Sequence, residues 1–149
     1  MSGGNFTVAG VFSALEVAGS GLTAQRGRMN VIAGNLANVH TTRGADGQPY
    51  RRLDPVFTVD PLAPTASDPV LRQVQGVRLA AVRPDPTPGQ RLYEPGHPDA
   101  DAQGYVAYPD ISPVQEMVDM ITASRAYEAG VTTLTTAVSM AERALGIGR

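Results

Sequence analysis

Proline divides this chain before any other feature does. All twelve prolines lie between Pro49 and Pro113, and neither flank contains one. A proline ring clashes with the preceding helical turn and removes a backbone donor, so long helices are barred from the middle and permitted at both ends. The expected fold class is mainly α with a small β insert. Its parts are an N-terminal helical arm over 1–44, a proline-rich β and loop insert over 45–111, and a C-terminal helical arm over 112–149. The two arms are expected to lie as an antiparallel, coiled-coil-like pair.

The C-terminal arm carries the plainest pattern. Met117, Met120, Ser124, Tyr127, Val131, Leu134, Val138, Ala141 and Leu145 recur at alternating steps of three and four, and all but Ser124 are apolar. That spacing marks a helix with a continuous apolar seam. Val114, Val118 and Ile121 widen it in the first half. Ser112 is placed to cap the start, Pro113 suits the first helical position, and Gly146 is the expected end. A helix of about 34 residues is about 50 Å long, more than a domain of this size needs to cover its own core. Such a seam needs a partner along its length.

The first arm mirrors it: Val8, Phe12, Leu15, Gly19, Leu22, Arg26, Met29, Ala33 and Leu36 keep the same spacing. Arg26 interrupts the stripe, with a stem able to lie along it. Gly19, Gly21, Gly27 and Gly34 each cost about 1 kcal/mol relative to alanine in a helix. This arm is therefore expected to order when packed among other helices, with Gly19, Gly21 and Gly34 as close-approach positions. Asn38 is a candidate left-handed terminator. The spacing equally allows Asn35 and Asn38 simply to face solvent.

In the middle, Asp46-Gly47 is a turn dipeptide. Gln48–Val59 reads as a strand that Pro55 confines to an edge or bulge, and Asp60–Pro69 as an exposed loop. Val70–Arg83 is the best strand candidate; Arg91–Tyr93 and Tyr105–Tyr108 are shorter ones. Between the last two, Glu94-Pro95-Gly96-His97-Pro98 forms a stiff turn, with Tyr93 and Tyr105 either anchoring a contact surface or filling the small β core.

Little chemistry can be built from what remains. The formal net charge of −2 disfavours nucleic acid as a partner, and Arg43, Arg51 and Arg52 read as a polar contact surface. No cysteine is present, which removes disulfides, thiol nucleophiles and thiolate metal sites. His97 near Glu94, Asp99 and Asp101 invites a metal or acid–base reading, but a proline-stiffened surface turn is the simpler one. No phosphate loop, nucleophile elbow or zinc-binding helix motif is found. The chain is expected to have no catalytic, cofactor or metal site and no membrane span. Residues 1–25 lack the basic start and apolar centre of a cleaved secretion signal.

Two sets of words in the sequence match a known family. Leu22-Thr23-Ala24-Gln25, Met29-Asn30-Val31-Ile32-Ala33 and Asn35-Leu36-Ala37-Asn38 resemble the N-terminal signature of bacterial flagellar axial proteins. More narrowly, Tyr93-Glu94-Pro95-Gly96-His97-Pro98-Asp99-Ala100-Asp101, Gly104-Tyr105-Val106, Glu116-Met117-Val118 and Ser124-Arg125-Ala126-Tyr127-Glu128-Ala129 resemble the FlgC family of basal-body rod proteins, components of the proximal rod. Asp110 and Gly130 stand where that family commonly has asparagine.

The resemblance implies a structural, non-enzymatic subunit of the flagellar basal body that serves motility. It implies type III export of an unfolded chain without a cleaved signal peptide, and a place in the rod across the periplasmic space. Terminal helices would build an inner tube and the middle segment an outer layer, assembling helically to transmit torque and line the export channel. Implied partners are further copies, neighbouring proximal-rod and distal-rod subunits, the rod-base adaptor at the inner-membrane ring and the export apparatus. The alternative from another class is a two-helix adaptor that binds a partner without polymerising.

Overall fold

The computed structural model describes residues 8–62, 65 and 67–147. Two long helices, α1 (Val8–Ala37) and α3 (Pro113–Ile147), enclose the β insert in sequence. At 1.5 Å per residue they are about 45 Å and about 50 Å long. Three contacts define how they pair. Asn35 bonds Glu116, Arg28 meets Asp119, and Leu22 lies against Gly130. Positions falling along α1 match positions rising along α3, so the helices run antiparallel.

The insert contains two separate antiparallel hairpins. In the first, β1 (Leu53–Pro61) pairs with β2 (Gln75–Pro84), and the register shifts between Val56 and Phe57, beside Pro55. A proline cannot donate to the ladder, so a bulge next to it on a two-stranded sheet is the expected accommodation. In the second, β3 (Gln90–Tyr93) pairs with β4 (Tyr105–Tyr108). The first hairpin packs on α1: Val77 donates its N–H to Ser20 Oγ (3.1 Å), and Leu79 sits over Gly27. With α3 and β2 both on it, α1 almost fully buries Ala24 and Ile32. Few other apolar residues are buried among those described, so the core is thin.

Several local expectations change. Gln48–Val59 becomes a strand only from Leu53, because residues 41–52 return the chain from α1: Gly44 N–H donates to Gln48 O (2.7 Å) and Tyr50 N–H to Thr41 O (3.0 Å). Val70–Arg83 is not one strand; a single helical turn, α2 (Pro69–Arg72), precedes β2, with proline at the position whose N–H is not needed. Asn38 is not left-handed, since no described non-glycine residue has positive φ. It ends α1 through its side chain instead: Nδ2 donates to Gly34 O (2.9 Å) and Oδ1 accepts from Thr41 Oγ1 (3.1 Å). Gly146 does not end α3, which runs on to Ile147. The start of α3 is as expected, with Ser112 Oγ accepting from Gln115 N–H (3.4 Å) and Pro113 first. The loop expected over Asp60–Pro69 falls partly outside the described residues and in part belongs to β1 and α2.

Candidate assembly surfaces

The inner face of α3 differs by one position from the seam expected of it. The row Glu116, Met120, Ala123, Tyr127, Gly130, Leu134, Ala137 and Ala141 is buried or half-buried, whereas Met117, Val131 and Val138 are exposed. Met120, Tyr127, Leu134 and Ala141 belong to both rows. Between them the structure turns inward the small residues Ala123, Gly130 and Ala137. A Cβ on Gly130 would come within 2.8 Å of Leu22 Cδ2, so glycine there lets the helices approach. On α1, Leu15, Leu22, Met29 and Leu36 are half-buried and Phe12 is exposed. The side chains of Val8 and Leu145 lie outside the described residues.

Large apolar side chains are consequently left outside. Val114, Met117, Val118 and Ile121 share one face of the first turns of α3, with between 49% and 68% of their surface exposed. Phe12 and Val17 are exposed toward the far end of the pair, as are Val131, Val138 and Met140. A contiguous apolar face of this kind marks an interaction surface. A methyl group added at Gly19 or Gly21 would have no atom within 4 Å, and one at Gly34 would meet only Tyr50 Oη at 3.8 Å. Within the chain, then, none of the three is a tight approach; Gly27 and Gly130 are.

Where α1 ends and α3 begins, the chain buries a polar cluster. Asn35 and Glu116 are each 1% exposed. Asn35 Nδ2 donates to Leu53 O (3.0 Å) and Glu116 Oε2 (3.1 Å), while its Oδ1 accepts from Leu53 N–H (2.9 Å) and Tyr50 Oη (3.2 Å). Both donors and both acceptor positions of the amide are used. Glu116 Oε1 accepts from Arg52 Nε (2.7 Å), and Arg52 also pairs with Asp54. Burial opposes the charge on Arg52, but the hydrogen bond and field of Glu116 hold its pKa above the ordinary guanidinium value. Burial, then the Glu116 charge, push the Tyr50 phenol up. The family motif Asn35-Leu36-Ala37-Asn38 thus holds two structural asparagines, and neither simply faces solvent. The sequence marks Glu116 only within the family words Glu116-Met117-Val118 and Arg52 only as part of a polar contact surface with Arg43 and Arg51, whereas the structure pairs the two inside the chain. A further signal is that Glu116 lies on the same three-four row as Met120, Ala123 and Tyr127.

The segment between β3 and β4 is locked by its own polar groups. Asp101 Oδ1 accepts from the N–H groups of Gln103 and Tyr105 (both 2.9 Å), and its carboxylate pairs with Arg91. The Tyr105 N–H bond leads the causes that lower the Asp101 pKa. Tyr108 Oη donates to Glu94 Oε2 (3.0 Å), which raises the phenol's pKa. His97 Nδ1 accepts from Asp99 N–H (3.0 Å), and Asp99 reaches back to Thr42 Oγ1 (2.8 Å) and Arg43 (3.5 Å). The carboxylates near His97 are thus committed to separate partners, and no metal-holding cluster occurs among the described residues. Gly104, at φ +84°, packs under the Tyr93 ring, where a Cβ would come within 2.8 Å. Tyr93 and Tyr105 meet edge-to-face at 5.3 Å, with Arg91 over the Tyr105 ring at 5.1 Å. Tyr93 is 64% exposed. Pro95, Gly96 and Pro98 are exposed beside it. No helix of the described residues is long and apolar enough to cross a membrane.

Comparison with known proteins places both arms. A family model described as flagella basal body rod protein matches residues 15–45, and one described as flagellar basal body rod FlgEFG protein C-terminal matches residues 102–147. The flagellar basal-body rod protein FlgC of Borreliella burgdorferi is 45% identical over 148 residues, covering 93% of this chain and 97% of that protein. The protein of the same description from Escherichia coli O157:H7 is 46% identical over 134 residues, covering 90% and 95%. That from Bacillus subtilis is 37% identical over 149 residues, covering 93% and 98%.

Proposed function

We propose a mode of assembly for a chain that belongs to the FlgC family of flagellar basal-body rod proteins and is a structural subunit of the basal-body rod, not an enzyme. It assembles with other rod and basal-body proteins, which replaces the alternative of a free two-helix adaptor. In our reading α1 and α3 form a coiled-coil-like inner-tube element, 1–44 with 112–149, and residues 45–111 form the outer layer. Neighbouring proximal-rod and distal-rod subunits, the rod-base adaptor and further copies pack against the helices, and the assembled rod transmits torque and lines the export channel. The chain reaches this periplasmic position through the type III apparatus without a cleaved signal. Gly19 and Gly21 admit a neighbour's side chains, and Tyr93, Tyr105 and the Glu94–Pro98 turn form a second contact.

One observation supports this reading above the others. After α1 has covered its share of α3, the face bearing Val114, Met117, Val118 and Ile121 is still open to solvent. Subunits whose contacts repeat without closing on themselves build a filament, and an apolar face beside a satisfied intramolecular one is what such contacts need. Val118→Asp and Ile121→Asp test it. Both side chains are exposed, so the isolated chain should keep its stability within about 0.5 kcal/mol. Incorporation into basal bodies and swimming should be lost, because assembly would bury an unpaired charge. Leu36→Asp and Leu134→Asp should also block incorporation but, being half-buried in the chain itself, should weaken folding too. Normal rods from Val118→Asp and Ile121→Asp would remove this face from the interface.

A further inference from the structure

We propose that the buried Asn35–Glu116–Arg52 cluster is a register lock, selecting one axial alignment of α1 against α3 and making it depend on the insert. The need for a lock follows from the repeats. Leu15, Leu22, Met29 and Leu36 recur every seven residues on α1, and Ala123, Gly130 and Ala137 recur every seven on the inner row of α3. Sliding one helix past the other by seven residues replaces Leu22 against Gly130 with Leu22 against Ala123 or Ala137. Large still meets small, so apolar packing discriminates weakly between the alignments.

The polar cluster has no such repeat. Glu116 is fully enclosed, with Oε1 on Arg52 and Oε2 on Asn35. A slip one way carries it past the end of α1. A slip the other way brings it to Arg28 but carries Asp119 away from that guanidinium to the level of Gly21, so one ion pair is broken to supply the other. In either case Arg52, fixed on the insert beside Asp54, loses its buried partner. A buried polar group that fixes helix register is the best-attested use of such groups. The insert supplies the cation, so the arms reach their final alignment only once residues 50–54 are in place. The lock thereby sets which outward residues of the two helices lie side by side.

Introduced thiols can read the alignment, as the chain has no cysteine of its own. Leu22→Cys with Gly130→Cys reports the observed alignment under mild oxidation, and Leu22→Cys with Ala123→Cys or Ala137→Cys reports a slip in each direction. In the otherwise unchanged full chain the first cross-link should exceed either slipped one by about 100-fold. With Arg52→Met and Glu116→Met added, helix content by circular dichroism should be retained, since buried ion pairs exchanged for apolar residues often fold as well. At least one slipped cross-link should then rise to within about threefold of the native one. Glu116→Gln with Arg52 intact should keep the native preference. If the doubly apolar chain forms only the native cross-link, packing and the short link from β4 to α3 set the register and the proposal fails. Loss of its helices would equally overturn it, showing an ordinary stabilising ion pair.

Discussion

The two ends of the helix pair are held in different ways. At the end near the insert, Asn35, Glu116, Arg52 and Tyr50 are hydrogen-bonded across α1, α3 and the approach to β1. Arg28 meets Asp119 there, and Ser20 and Gly27 engage β2 just beyond. The far end is the stretch where α1 starts and α3 finishes. Phe12, Val131, Val138 and Met140 face outward. Thr132, Thr133, Thr135 and Thr136 each bond the carbonyl four residues back, a habit that slightly weakens and bends helices. One end is locked by polar contacts within the chain, while Val114, Met117, Val118 and Ile121 still face outward on it. The other is a rod of exposed apolar and back-bonded polar residues whose missing contacts, in our reading, come from neighbours.

The largest effect expected on the isolated chain is at the closed end. Arg52→Met leaves Glu116 buried without its cation and should cost about 3–5 kcal/mol, as breaking one side of a buried pair does. Val138→Ala at the open end should stay within about 0.5 kcal/mol. Urea unfolding followed by far-ultraviolet circular dichroism measures both. Equal losses would mean that the far end is held within the chain as firmly as the near one, and the contrast would collapse.

A smaller effect sharpens the same contrast through pH. The Tyr50 pKa is raised in the folded chain, first by burial and then by Glu116. A raised pKa contributes stability that is complete below the unfolded value, near 10 for tyrosine, and is lost as pH rises through the folded value. The closed end should therefore weaken above about pH 10. Tyr50→Phe should cost about 1 kcal/mol at neutral pH, for the lost bond to Asn35, and should flatten the alkaline decline. The difference between parent and variant, measured from neutral pH to about pH 11, isolates this group from the other tyrosines. A parallel decline in both would show that Tyr50 is not coupled to the cluster.

Much of this fold is legible in the sequence because proline and periodicity act locally. The proline-free flanks become α1 and α3, Ser112 and Pro113 open α3, and Arg91–Tyr93 and Tyr105–Tyr108 pair as β3 and β4. What sequence misses needs knowledge of a distant partner. The rows 117, 124, 131, 138 and 116, 123, 130, 137 are adjacent on the helix. Greasiness favours the first and small size the second. Only the presence of Leu22 against Gly130 decides between them. Glu116 is buried because Arg52, 64 residues earlier, meets it there, and no window of sequence contains both. Asn38 has the character of a backbone terminator, yet its side-chain amide bonds Gly34 and Thr41 at ordinary φ.

The gentlest substitutions ask what the open side is for. Gly19 and Gly21 sit in α1 with nothing within 4 Å of the position a methyl group would take. Alanine at either costs no contact and improves helix propensity by about 1 kcal/mol, so Gly19→Ala and Gly21→Ala should each raise the stability of the isolated chain. Gly130→Ala should gain less or lose, because its methyl would press Leu22 Cδ2 at 2.8 Å. If a neighbouring subunit lies close over Gly19 and Gly21, the added methyl groups stand in its way, and incorporation into basal bodies should fall while the free chain becomes more stable. Opposite signs in the two measurements would identify glycines kept for a contact that the chain alone does not make. A more stable chain that assembles as well as the parent would show that these two glycines face open space in the rod as well.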